Sequence, residues 1–345
     1  MEKERIIWLD YVRCFACLSV VLLHAIAPYT SANTQLFING IQPFKGYWIA
    51  ANTIDSFTRM CVPLFFMLSG YFFFSDRNVK VKNFIKLITS LIFYSALCII
   101  SVKLMSYTTN NVVTVPPYGF FDKPAFYHLW FFYVLIPIYF IAGIIKVRKE
   151  NLLYILVIAA LIFTLLNPSM NVITKKIFNI DIRNKFMLDG NFIFYLSYAF
   201  IGGALSHIDI INRNRVFTIS LMLFLTSALL MGYLTMNETI NQGKLYTGYR
   251  AYVSPLVAIC SISFMVMLMS LSGKLKRIKI IELISILSLP IYGVHAVILY
   301  SLRKIYNYQS LNFYISTIMV FLFTITLSIL ISLIIKKADR NSFIS

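Results

Sequence analysis

Long apolar runs alternate with short polar stretches along the whole chain. About 20 consecutive apolar residues cross the hydrocarbon core of a bilayer as a helix. Runs that meet this length lie at roughly 6–27, 48–74, 84–106, 127–145, 151–167, 190–206, 216–235, 251–272, 280–301 and 311–335. The pattern predicts an all-α polytopic membrane protein with about ten transmembrane helices. No soluble linker, low-complexity tract or internal repeat interrupts it, so residues 1–345 read as a single transmembrane domain.

The polar stretches set the orientation. With the N-terminus in the cytoplasm, the inner segments carry eighteen Lys and Arg, including Lys80, Lys82, Lys86, Lys146, Arg213 and Lys274, and the outer ones carry ten. The positive-inside rule then places both termini in the cytoplasm. Lys175, Lys176, Arg183 and Lys185 run against the bias, and a binding surface for an anionic lipid-linked substrate is one account of them.

Composition agrees with the pattern: 59% of residues are hydrophobic and only 13% charged. A soluble fold would have to expose much of that apolar surface. The net charge of +18 does not indicate a nucleic-acid partner, because the basic residues sit between apolar runs. Cys14, Cys17, Cys61, Cys98 and Cys260 all fall inside those runs, which argues for packing and against a disulfide framework. The start of the chain resembles a signal peptide, but Asp10, Arg13 and His24 interrupt its apolar stretch, so it is read as a retained first helix.

Ionisable groups inside the membrane are costly and mark functional positions. Arg13 and His24 are eleven residues apart, which on a helix is three turns plus about 20°, so they share one face about 16 Å apart along the axis. An arginine can clamp phosphates and a histidine can move a proton. The plainer alternative is a structural hydrogen bond for each, with Arg13 paired to Asp10. Asp55 and Arg59 are adjacent on the second run, either as a self-neutralising pair or with Arg59 joining Arg13 on a polyphosphate. Pro63 and Gly70 allow bending and close approach there.

Tyr127, His128, Trp130 and Tyr133 open the fourth run. Trp130 and Tyr133 fit an interfacial belt, while His128 suits the outer mouth of a cavity. Tyr292 and His295 share a face of the ninth run, with helix hydrogen bonding as the alternative. Asp189, Gly190 and Asn191 read as a turn and N-cap before the sixth run, and His207 is given no role. No His/Cys cluster has metal-ligand spacing.

Together, the segments Trp8-Leu-Asp10-Tyr-Val-Arg13 through His24, Arg59 through Tyr71, His128-Leu-Trp130-Phe, Tyr195–Gly203 and Ser285–His295 resemble the acyltransferase 3 family of multi-pass membrane acyltransferases. The Arg-x10-His spacing combined with R-x-x-x-P-L-F-F-x-L-S-G and H-L-W carries the resemblance. Lys123–Phe132, Tyr292–Ala296 and Asp339–Ser342 look most like the branch that O-acetylates enterobacterial common antigen. Pro290 departs from the family, which usually has Gly there.

The resemblance implies acetyl-CoA as donor, a hydroxyl of an envelope glycan or lipid-linked saccharide as acceptor, and the Gram-negative inner membrane. It implies His24 as the catalytic residue and Arg13 and Arg59 as donor-binding residues. Asp10 is grouped with His24 as a candidate for the acid–base chemistry, and His128, Trp130, Tyr292 and His295 as substrate-binding candidates. No hydrolase-type extension follows the tenth run, so transfer is expected to finish within the membrane domain. A transporter or flippase for a glycan or small anion is the alternative that the buried charges leave open.

Overall fold

In the computed structural model, which describes residues 5–31, 46–75, 78–109, 123–180, 190–305 and 312–345, the described residues form α-helices and short 3-10 turns and no strand. The helices are α1 (Ile7–Ser31), α2 (Gly46–Thr58), α3 (Cys61–Phe73), α4 (Val81–Thr109), α5 (Trp130–Ile144), α6 (Leu152–Phe163) and α7 (Pro168–Phe178). They continue as α8 (Phe192–Leu205), α9 (Arg213–Gln242), α10 (Pro255–Ser270), α11 (Lys279–Ile286), α12 (Ser288–Ile305) and α13 (Phe313–Ala338).

Among the described residues seven spans are long and apolar enough to cross a bilayer, or up to nine if each of two bent pairs counts as one. The predicted ninth run is one of these bent pairs, α11 and α12 meeting at 75°; the predicted fifth run, 151–167, is α6, and α7, which meets it at 63°, lies beyond the run in what the sequence predicts as a loop. Pro168 starts α7 behind Asn167, whose side chain accepts from the Ser169 amide. In α12, Pro290 has no N–H for the carbonyl of Ile286, so the ladder cannot run straight from α11. The predicted sixth run is α8, whose 14 residues fall short of a full crossing. Its rise of about 21 Å compares with a hydrocarbon core of about 30 Å.

Both ends of the described chain lie at one end of the bundle. Arg5 reaches Glu282 at 2.8 Å, the Tyr11 hydroxyl donates to the Lys276 carbonyl at 2.9 Å, and the Lys86 ammonium donates to the Ser345 carbonyl. Lys274 reaches Asn214 there at 2.9 Å. The turns around Lys80, Lys146, Arg213 and Lys276 gather at this basic end. The opposite, far end carries the start of α2 and the end of α12, where Arg303 donates to the His24 carbonyl at 2.5 Å.

Apolar side chains cover the outside of the long helices, among them Ile100 on α4, Leu153 on α6 and Ile334 on α13. Lipid is a good solvent for them, so they do not drive helix association; close packing of small residues does. A Cβ on Gly70 would lie 1.8 Å from the Ala199 carbonyl oxygen, and one on Gly202 would lie 1.9 Å from that of Met67. Helices α3 and α8 therefore touch backbone to backbone.

A buried ion cluster ties α2 to the turn before α10. Asp55 Oδ1 accepts from Arg59 Nε, and its Oδ2 accepts both from a second Arg59 nitrogen at 3.0 Å and from Arg250 at 2.8 Å. Arg250 is only 1% exposed. Asn52 donates to the Gly232 carbonyl at 2.8 Å and joins α2 to α9.

Two substitutions test this packing. Gly202→Ala forces two backbones apart, at a cost of about 3 kcal/mol, and a lowered thermal midpoint in detergent is the expected result. Asp55→Asn strands two buried guanidinium groups and costs about 3–5 kcal/mol, measurable in the same melt and larger than the cost of Arg59→Gln, which leaves Arg250 to pair Asp55.

Candidate functional site

Helix α1 presents Arg13, Val20 and His24 along one stripe, facing the bent pair α11–α12. Arg13 donates to the Ser285 hydroxyl at 3.1 Å, and that hydroxyl donates to Asp10 at 2.7 Å. Asp10 also accepts from Arg5 at 2.6 and 3.0 Å and lies 3.8 Å from Arg13. The Arg13 guanidinium stands 5.7 Å from the centre of the Phe72 ring. It is held from three sides, and its position is set by partners on α1, α3 and α11.

Arg13 lines a cavity of about 450 Å³ that opens at the basic end. Lys86, Asn83, Ser69, Ser285 and Tyr139 add polar groups to its wall, and Leu68, Phe72 and Leu135 make it largely apolar. The segment after α13 folds back to the mouth, where Ser345 joins the lining. Its anchor is Asp339, which accepts from the amides of Phe343, Ile344 and Ser345 at 3.0, 2.7 and 2.8 Å. Burial would raise the Asp339 carboxyl, but these amide bonds outweigh it and hold the carboxyl down to about 2.

The inner end of the cavity is Val20, Phe65 and Tyr292, and the same three side chains begin an apolar seam that continues past Cys17, Val21 and Ile291 to His295. The seam has no room for a water molecule. Beyond it stand three of the chain's four histidines. The rings of His24 and His295 are stacked with centres 5.4 Å apart, and His128 lies 5.2 Å from His295. His24 also meets the edge of Tyr127 at 5.1 Å, and the Tyr292 hydroxyl donates to the His128 carbonyl.

The three imidazoles differ in access and in freedom. His295 is 0% exposed and His128 is buried, whereas His24 is partly exposed beneath half-exposed Tyr127. His295 Nδ1 sits 2.7 Å from the Tyr292 carbonyl and His128 Nε2 sits 3.3 Å from the Gly293 carbonyl. A carbonyl only accepts, so each of these nitrogens carries the proton. That leaves His295 Nε2 and His128 Nδ1 as lone-pair acceptors, both buried and without a partner among the described residues. The His24 ring makes no hydrogen bond among the described residues.

The residues singled out from the sequence thus fall into three places. His24, His128, Tyr292 and His295 come together, and Arg13 shares their line across the seam. Asp10 does not reach His24: their separation of fourteen positions is about 21 Å along the axis, and its oxygens are engaged by Arg5 and Ser285. Arg59 does not line the cavity with Arg13. Its guanidinium is paired with Asp55 and stands 5.6 Å from the Tyr252 ring centre. Trp130 packs there too, 6.0 Å from Tyr252 and 5.3 Å from Tyr195, apart from the histidines.

Other assignments fall elsewhere. Lys175 is exposed on α7, while the Lys176 side chain, Arg183, Lys185 and Asp189 lie outside the described residues. His207 meets the Val147 carbonyl at 2.9 Å. Among the described residues no group of three His, Cys, Asp or Glu side chains is arranged to hold a metal ion. Lys86 and Arg250 were counted only as loop charges by the sequence reading. A basic residue placed inside an apolar stretch at a run's edge was the available signal for Lys86, and Arg250 next to the start of an apolar run was the signal for the other.

No solved structure matches the chain. An amino-acid racemase of Enterococcus faecalis is 32% identical over 141 residues, which covers 38% of this chain and 18% of the racemase. So short a share of that protein shows nothing of its activity here. The family model described as an acyltransferase domain matches residues 6–337, from the start of α1 to the last turn of α13. The chain is a membrane acyltransferase of the acyltransferase 3 family.

Proposed function

We propose that the protein transfers an acetyl group from acetyl-CoA to a hydroxyl of a cell-envelope glycan, with enterobacterial common antigen as the acceptor, in the Gram-negative inner membrane. In this reading both termini and the basic end face the cytoplasm. The observation that supports it most is the α1 stripe, which puts a cation-lined cavity at the basic end and a partly exposed imidazole toward the far end, with one narrow seam between them.

Acetyl-CoA is an anion with phosphates, and Arg13 and Lys86 are the cations of the cavity wall. Arg13, locked by Ser285 and Asp10, grips a phosphate oxygen without losing much side-chain freedom on binding. The thioester arm then lies along the apolar wall and enters the seam once Val20, Phe65 and Tyr292 move aside. Asp10 serves this end by holding Arg13. The Asp55 cluster carries two guanidinium groups on one carboxylate, and Arg59 is near enough to act electrostatically on His24. Its excess positive charge suits the oxyanion that forms as the thioester carbonyl is attacked.

The acceptor reaches His24 from the far end, past Tyr127 and the His128 backbone. His24 takes the hydroxyl proton as the sugar oxygen attacks the acetyl carbon, and the C–S electron pair leaves with the thiolate. The oriented hydroxyl and preformed thioester supply most of what the step needs. His128 borders the acceptor's approach, Tyr292 stands at the gate on the donor side, and Trp130 takes no part in it.

The test is label transfer by the purified protein from radiolabelled acetyl-CoA to extracted glycan. His24→Ala is expected to lower transfer by about 100-fold or more while acetyl-CoA binding persists. Arg13→Ala is expected to weaken acetyl-CoA binding by about 10–100-fold, the loss of one charged hydrogen bond. Glycan carried across vesicles with no label transferred, and indifference to both substitutions, would point to transport instead.

A further inference from the structure

The two faces of this site are reached from opposite ends, and the chemistry has to carry one proton between them. The acceptor hydroxyl gives up its proton at His24, on the partly exposed side. The thiolate that needs a proton leaves on the cavity side. His295 stands between the two. It borders the seam that continues the cavity, which His24 does not, and its ring is stacked on His24. Its Nδ1–H is spent on the Tyr292 carbonyl at 2.7 Å, so its Nε2 is a lone pair with no partner among the described residues, in a fully buried position.

We propose, resting on the acetyl-transfer reading, that His295 is the proton relay of the reaction, taking the hydroxyl proton from His24 on Nε2 and delivering it to the thiolate in the seam. The balance is simple. The hydroxyl O–H pair becomes the new O–acetyl bond, the C–S pair stays on sulfur, and the proton passes from His24 to His295 and on to sulfur. No oxidant or further reactant is needed, and both imidazoles end neutral.

The geometry permits the hand-over. A ring nitrogen sits about 1 Å from the imidazole centre, so with centres 5.4 Å apart the nitrogens come to hydrogen-bond range only when the His24 ring leaves its stacked position and turns edge-on to His295. Among the described residues no hydrogen bond holds the His24 ring, which is packed by His295 and Tyr127, whereas the Tyr292 carbonyl fixes the His295 tautomer. Among the described residues the other charged or titratable groups around it are His128, Tyr127 and Tyr292 by ring contact and Arg59 and Arg303 by charge, and none of them is a carboxylate that could trap the proton.

The experiment changes the thiol that leaves. A thiol of low pKa departs as a stable thiolate and needs no protonation. His295→Gln keeps an acceptor and a donor but cannot carry a proton. With acetyl-CoA it is expected to lose about 100-fold in kcat with acetyl-CoA binding unchanged, whereas with S-acetyl-thionitrobenzoate it should work close to the wild-type rate. His24→Gln should be inactive with both donors. Equal loss of His295→Gln with both donors while acetyl-CoA still binds, or no loss with either, overturns the relay. Should the variant not fold, the wild-type protein decides the matter: across a series of acetyl thioesters its rate should depend only weakly on the thiol pKa, and a steep dependence overturns the relay. A wild-type protein that transfers acetyl from no donor overturns the underlying acetyl-transfer reading instead.

Discussion

A guanidinium inside a bilayer has to be paired, and the pairing of Arg13 fixes much of the rest of this molecule. Its contacts to Ser285 and Asp10 join α1 to α11 at the basic end. That junction sets which face of α1 looks toward the bent pair, and the same face carries Val20 and His24 onward. Because the α-helix repeats nearly in register after eleven residues, orienting Arg13 orients His24 as well. One charged contact near the membrane surface thereby aims an imidazole about 16 Å deeper, at His295.

The second buried charge cluster solves a different problem. Asp55 holds two arginines where a single carboxylate would ordinarily hold one. Desolvating three charges together is unfavourable unless the geometry is good, so such a cluster is weak evidence for stability alone. Its net positive charge lies in the half of the protein where His24 sits. A fixed positive field that needs no reorganisation during the reaction acts more strongly on a developing oxyanion here than it would in water.

The sequence made α1 legible because a helix obeys a fixed angle per residue, so the Arg13–His24 stripe follows from spacing alone. The family motifs were legible for a similar reason, being local. What spacing cannot give is the partner of a buried charge. Asp10 was grouped with His24, yet Arg5 and Ser285 claim it, and Ser285 is contributed by a helix late in the chain. Arg59 was read with Arg13 as a donor clamp, and Arg250, far away in sequence, helps hold it elsewhere by sharing Asp55. Apolar length also misleads in one direction. Helix α8 is strongly apolar but too short to cross alone, and the break between α11 and α12, next to Pro290, does not interrupt hydropathy. Hydropathy reports solubility in lipid, whereas a bend depends on one missing amide.

The closed seam bears on why the reaction would be divided between two ends at all. An acetyl thioester exposed to water with an imidazole beside it would hydrolyse, so the proposed reaction gains if the thioester meets His24 only in a dry place. Val20, Phe65 and Tyr292 supply that dryness: they leave no room for a water molecule between the cavity and His295. Tyr292 is the pivot of the arrangement, since its hydroxyl donates to the His128 carbonyl and its own carbonyl accepts from His295. Moving the Tyr292 ring to admit the thioester need not disturb the carbonyl that fixes the His295 tautomer. In the proposed reaction the gate can therefore open by a side-chain rotation while the His295 tautomer behind it is kept.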